Sequence, residues 1–166
     1  MEFSYELVGP GWAQAQIRDG DQVARLTASY LSDALHDLLS GVQRMLAGSP
    51  LEEFSWSEEP GEYNWRLKTE GHRTLVTIAS TADIRREEQW NDEGWDIDLV
   101  DEDGPDVIEF QTEADAVDLA TAIAMAARKL IAKDGEAGYL HRWIEHPFPT
   151  STLAAIENIL SQRARA

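Results

Sequence analysis

SDALHDLLSGVQRMLAGSP, residues 32–50, is the stretch from which the rest of the chain can be read. Leu35, Leu38, Leu39, Val42, Met45 and Leu46 recur at the three-four spacing that gathers apolar side chains on one face of a helix. Ser32 stands where an N-cap is needed, and Asp33 adds negative charge to the first turn, where the helix dipole favours it. Gly48 and then Pro50 supply the stop. A helix here divides two regions of strand-like pattern.

Ahead of the helix, Phe3, Tyr5 and Leu7 alternate before Gly9-Pro10-Gly11, and residues 12–17 lead to Asp19-Gly20-Asp21, which predicts a strand and a hairpin. Beyond it, strands are expected at 54–56, 63–68, 74–79, 95–100 and 107–110. Pro60-Gly61, Glu70-Gly71 and Asp103-Gly104-Pro105 carry the residues of tight reversals, Gly for positive φ and Pro for fixed φ. Apart from the helix itself, no link before residue 112 is long enough for a parallel crossover, so the strands pair antiparallel.

Thr112-Glu113-Ala114-Asp115 has the form of a capping box, with Asp in place of the usual Glu. Ala116, Leu119, Ala120, Ile123, Ala127, Leu130 and Ile131 then form the stripe of a second long helix. Arg128, Lys129 and Lys133 lie toward its cation-preferring end, and Asp134-Gly135 is expected to end it. An aromatic link over 139–143, Pro147 and Pro149, and a shorter helix over 153–160 complete the reading. The expected fold is one α+β domain spanning 1–166. It has two layers, a mostly antiparallel sheet of about five to seven strands with two long amphipathic helices on one face, and a short C-terminal helix. No internal repeat or long linker divides the chain.

Charge is the strongest functional signal. The 166 residues carry 31 acids against 14 Lys and Arg, a formal charge of −17, while 43% hydrophobic residues and six tryptophans are enough to build a core. From Glu87 to Ala127 there are 14 acids and not one Lys or Arg. Such a polyanion is repelled by nucleic acid and by anionic membranes, so neither is expected as a partner; a basic protein is. With no Cys there is no disulfide, thiolate ligand or cysteine nucleophile. Met1-Glu-Phe-Ser-Tyr lacks the basic start of a signal peptide, and nowhere do about 18 apolar residues run together, so a cytoplasmic location is expected.

Within the acidic run, Trp90 is flanked by carboxylates, a make-up suited to an interface anchor. The expected partner-binding residues are Trp90, Asp92, Glu93, Asp96, Asp98, Asp101, Glu102 and Asp103. Trp95 alternates with Ile97 and Leu99 and is expected on the inward face of a strand. A solvated acidic face kept for solubility is the competing reading.

Catalytic and metal signatures are mostly missing. Aligning Gly104 with the glycine of a calcium-binding loop sets Asp101 and Asp103 correctly but leaves Leu99 at the first ligand and Phe110 where a bidentate Glu is needed. His36, His72, His141 and His146 show no ligand spacing, and His36 is expected to face solvent. Asp96 and Asp98 share a strand face, yet oppose its apolar side and should be solvated, which raises neither pKa. No phosphate loop or nucleophile elbow occurs, and no cofactor is expected. The alternative function is a small enzyme or ligand-binding domain with a pocket between sheet and helices, drawing on Glu62, Tyr63 and His72. Self-association, if it occurs, is expected on the helical or C-terminal side, because the acidic side repels its copy.

Ser32-Asp33-Ala34-Leu35 through Gly48, Trp56-Ser-Glu-Glu-Pro-Gly-Glu-Tyr-Asn-Trp65, and residues 139–143 before Phe148-Pro149 resemble a group of uncharacterised small acidic bacterial proteins of actinobacterial type. That resemblance spans most of the chain and brings no activity with it. A looser likeness, of type and not of motif, is to immunity proteins that neutralise polymorphic or contact-dependent toxins, many of them basic nucleases. It implies a non-catalytic protein whose carboxylates engage a cationic partner.

Overall fold

The computed structural model describes residues 1–81, 106–144 and 146–165, together with the backbones of two strands within 86–99. The chain is an α+β protein. It opens with β1 (Glu2–Gly9), β2 (Trp12–Asp19) and β3 (Gln22–Ser29), an antiparallel meander. Helix α1 (Ala34–Leu46) follows, then β4 (Leu51–Ser57), β5 (Glu62–Glu70) and β6 (Arg73–Thr81). A hairpin of β7 (Arg86–Asn91) and β8 (Gly94–Leu99) precedes β9 (Val107–Asp115), which returns to pair with β6. Helices α2 (Ala116–Trp143) and α3 (Thr150–Arg163) end the fold. The expected single sheet is thus divided into a three-stranded sheet, a four-stranded sheet of order β4-β5-β6-β9, and the two-stranded β7–β8 ladder, which takes the strand expected at 95–100.

Each sheet is apolar on one face. Tyr5 and Leu7, Ala13, Ala15 and Ile17, and Ala24, Leu26 and Ala28 alternate with exposed or half-buried polar residues through the meander. Trp56, Trp65, Leu67, Val76, Ile78 and Phe110 do the same in the larger sheet. These faces and all three helices bury one continuous cluster. The sheets meet through aromatic rings: Tyr5 stands edge-on to Trp56 at 5.9 Å, and Trp56 lies 4.8 Å from Trp65. Burying about 150–250 Å² per ring at about 25 cal/mol/Å² gives each an upper limit of about 4–6 kcal/mol. At Gly11, with φ +72°, backbone from three segments converges: its N–H donates to Arg142 O at 2.7 Å and its carbonyl accepts from Tyr30 N at 2.9 Å. A Cβ there would stand 2.7 Å from Tyr30 Cδ1, so this turn needs glycine for space as well as for φ.

Several local expectations are corrected. Ser32 does not cap α1. Its Oγ accepts from Ser57 N at 3.0 Å, tying the end of β4 to the helix start, and Asp33 occupies the N-cap position without a side-chain capping bond. No capping box forms at Thr112, because β9 continues to Asp115 and Thr112 Oγ1 donates across the sheets to Asp19 Oδ2 at 2.6 Å. Asp115 itself caps α2, accepting from Val117 N at 2.8 Å. Gly135, at φ 67° and ψ 167°, breaks the helical backbone where the end was expected, and a further helical stretch runs on to Trp143 in place of the expected aromatic link. Tyr139, Trp143 and Phe148 then bury as a cluster, which holds that continuation onto the core. Among the described residues no helix is long and apolar enough to cross a membrane.

Candidate functional site

The four-stranded sheet keeps one face on the core and leaves the other open. Two rows cross that open face in register. Ser55 pairs with Asn64, Asn64 with Ala79 and Ala79 with Ile108; beside them run Glu53, Arg66, Thr77 and Gln111. A groove of about 480 Å³ lies over the rows. Arg66 Nε donates to Glu53 Oε1 at 2.7 Å, and Gln111 Nε2 to Thr77 Oγ1 at 3.1 Å, so the floor is polar and internally paired.

One end of the groove fixes the roots of the acidic segment. Asn64 Nδ2 donates to Thr81 Oγ1 at 3.1 Å, and Thr81 Oγ1 donates to Asp106 Oδ1 at 2.5 Å. Thr81 ends β6 and Asp106 precedes β9, so this relay holds the two ends of residues 82–105 side by side. Ser80 Oγ donating to Glu109 Oε1 at 2.7 Å adds a second clasp. The ladder slips here by one residue: Ile78 pairs with Phe110 but Ala79 with Ile108, leaving Glu109 as a bulge. The bulge turns Phe110 into the core and leaves both Val107 and Ile108 exposed, at 58% and 54%. Two exposed apolar residues thus stand at the root of the most acidic segment.

Beyond that root, β7 and β8 pair only in their own two-stranded ladder. Strand β8 was expected in the main sheet with Trp95, Ile97 and Leu99 inward; instead it is register-paired to β7, and Trp95 stands directly opposite Trp90. Alternation alone cannot say which ladder a strand joins, which is why the sequence misplaces it. Asp96 is paired with Gln89, Asp98 with Glu87 and Asn91 with Gly94. The expected residues Asp92, Glu93, Asp101, Glu102 and Asp103 lie outside the described residues.

The acids nearer α2 have partners within the chain. Glu113 accepts from Arg73 Nε at 2.8 Å, a bond that raises the Arg73 pKa, and Asp115 caps α2. Glu109 and Asp106 accept from Ser80 and Thr81. The residues of the alternative pocket do not converge. Glu62 and Tyr63 open β5, and His72 lies exposed beyond its other end, more than about 23 Å of strand away. Tyr63 is buried, and its hydroxyl donates to Glu58 Oε1 at 3.0 Å; desolvation first, then that bond, push its pKa up to about 12. Glu58 also accepts from Thr27 Oγ1 at 2.7 Å, so this group joins the two sheets. Among the described residues no three His, Asp or Glu side chains group as a metal site.

Sequence reasoning missed Asn64, Thr81, Asp106, Val107 and Ile108. The available signal was Val107-Ile108 itself, two adjacent apolar residues that break the alternation of a half-buried strand. Comparison of the chain with protein-family models, curated proteins and solved structures finds no match.

Proposed function

We propose that this protein is a non-catalytic acidic binder of a basic protein partner, docking through the β7–β8 segment and the exposed apolar pair at its root. The observation that carries the reading is the joint placement of these features: 14 acids without a cation over 87–127, with the segment's ends clasped beside exposed Val107 and Ile108. Carboxylates would steer a cationic surface into place, while Val107, Ile108 and the paired tryptophan positions supply apolar contact area. The particular form we favour is an immunity protein that neutralises a nuclease toxin. The carboxylates of Asp92, Glu93, Asp96, Asp98, Asp101, Glu102 and Asp103 would then occupy the toxin's phosphate-binding groove and exclude its nucleic acid.

The test is capture from lysate of the source cells by the immobilised chain at low and high salt, with mass spectrometry of what is retained. It is run beside a variant carrying Asp92→Lys, Glu93→Lys, Asp101→Lys and Asp103→Lys. A basic protein held at low salt, released at high salt and lost by the variant supports the proposal. Equal retention by both chains, or no basic protein at any salt, overturns it.

A further inference from the structure

We propose that the outward stripe of α2 is a self-complementary surface through which two copies of this chain associate antiparallel. Between Asp115 and the bend at Gly135, the residues that α2 leaves toward solvent include Asp118, Ala122, Met125, Lys129 and Lys133. Their spacing of three and four places them in one line along the helix. Met125 is 68% exposed, the most open large apolar side chain among the described residues. It stands as a knob between two hollows formed with β1. One, of about 490 Å³, is bounded by Phe3, Asp118 and Ala122; the other, of about 420 Å³, by Phe3, Ala126, Lys129 and Lys133.

The charges say what fits there. Arg128, the neighbouring cation, is turned away and bonded to Glu157 of α3. Asp118, Lys129 and Lys133 form no ion pair among the described residues, so the stripe carries one free anion at one end and two free cations at the other, with Met125 near the middle. A two-fold axis beside Met125 sets Asp118 of each copy against Lys133 of the other, the pairs about 22 Å apart along the helix. Each Met125 then enters a hollow of the other copy, and Ala122 is small enough to let the helices close. In a chain of net charge −17 this is also where a like-charged copy meets Lys129 and Lys133, beside Glu2 and Glu6 of β1, which border the same hollows. The surface lies on a different element from the proposed docking segment, and its salt response has the opposite sign. Salt weakens attraction to a basic partner but screens the mutual repulsion of two polyanions.

Sedimentation velocity of the full chain, from about 1 to 500 μM, reads the association directly against the 18.6 kDa monomer. Dimer is expected within that range, more of it at physiological than at low salt. Met125→Asp should weaken it at least about tenfold. Asp118→Lys and Lys133→Asp should each weaken it, and the double exchange should restore it to within about twofold of the parent, because the pair is only swapped. All three substitutions are on exposed positions, and circular dichroism checks that each variant is folded. A monomer at every concentration, a dimer indifferent to Met125→Asp, or a double exchange no better than the single ones would overturn the proposal.

Discussion

Gly41→Ala in α1 sets two known effects against each other at a single site. On an exposed helix position the change stabilises by about 1 kcal/mol, because alanine loses less backbone freedom on folding. Gly41, however, is buried against β4, and an added Cβ would stand 2.8 Å from Phe54 Cε1 and 3.1 Å from Cδ1. Carbon atoms attract best at about 3.5–4.0 Å, so the ring must retreat by about 0.7 Å. Retreat toward Trp65 is blocked: Phe54 stacks on that ring at 5.7 Å and 16°, and Trp65 is itself packed 4.8 Å from Trp56. Overpacking of this kind costs about 1–3 kcal/mol, so the expected net effect is a loss of up to about 2 kcal/mol. Urea unfolding followed by circular dichroism measures it, with an unchanged slope showing that the denatured state is the same. In a Phe54→Ala background the clash is gone and the same substitution should stabilise, giving a coupling of about 1–3 kcal/mol. A gain of about 1 kcal/mol in the parent chain, or no coupling to Phe54, would refute the reasoning.

Arg44→Met should cost about 1–3 kcal/mol of unfolding free energy, because Arg44 Nε and an Nη both lie 2.6 Å from a carboxylate oxygen of Glu52, which is only 7% exposed. Replacing both partners by Met should recover most of that loss. Asp33→Asn should raise the melting temperature at neutral pH. Desolvation, partly offset by His146 at 3.6 Å, lifts the Asp33 pKa, so the folded state favours the protonated acid. Its stabilising contribution is present below the unfolded pKa and is lost as pH rises through the higher folded value. The advantage of Asn should therefore shrink toward acid pH, and a constant difference between melting curves at pH 3 and pH 7 would refute it. Tyr63→Phe should remove a tyrosinate titrating near pH 12 in an ultraviolet absorbance titration. The stability contribution of Tyr63, present below pH 10, should be lost between there and about pH 12 in the parent chain.

The elements were legible where one face of each is buried. Leu35 to Leu46 marks α1 because six apolar residues at helical spacing admit no other packed arrangement, and Tyr5, Ala15 and Leu26 mark strands for the same reason at period two. Termini were less so, because side chains that looked like caps were taken by distant partners: Ser32 by Ser57, Thr112 by Asp19. Nothing in local sequence shows such contacts. Gly135 was legible as a break, since its positive φ interrupts the helix, but the helical stretch beyond it was not, because the burial of Tyr139 and Trp143 is what holds that stretch on the core. The roots of the acidic segment were illegible for a related reason. The Asn64–Thr81–Asp106 relay joins β5, the end of β6 and the residue before β9, and each member alone is an ordinary polar residue.

The clasp at Asp106 also divides the acids by role. Asp106, Glu109, Glu113 and Asp115 accept hydrogen bonds from named groups of the chain. Nine others fall within 87–103, where no Lys or Arg is interspersed. In an extended strand residues two apart share a face about 6.6 Å from one another, inside the screening length of about 8 Å at physiological salt, so like charges at positions such as Asp96 and Asp98 repel. Antiparallel pairing worsens this where Glu87 is set against Asp98. The β7–β8 ladder holds the backbone positions of Glu87, Glu88, Asp96 and Asp98 in register, at a cost that isolated solubility does not require. Acids scattered over the open sheet face would keep the protein soluble without that repulsion. Concentrating them beyond a clasped root gains most when a cationic surface arrives to neutralise them, and that difference is what favours a docking role over a solvated face.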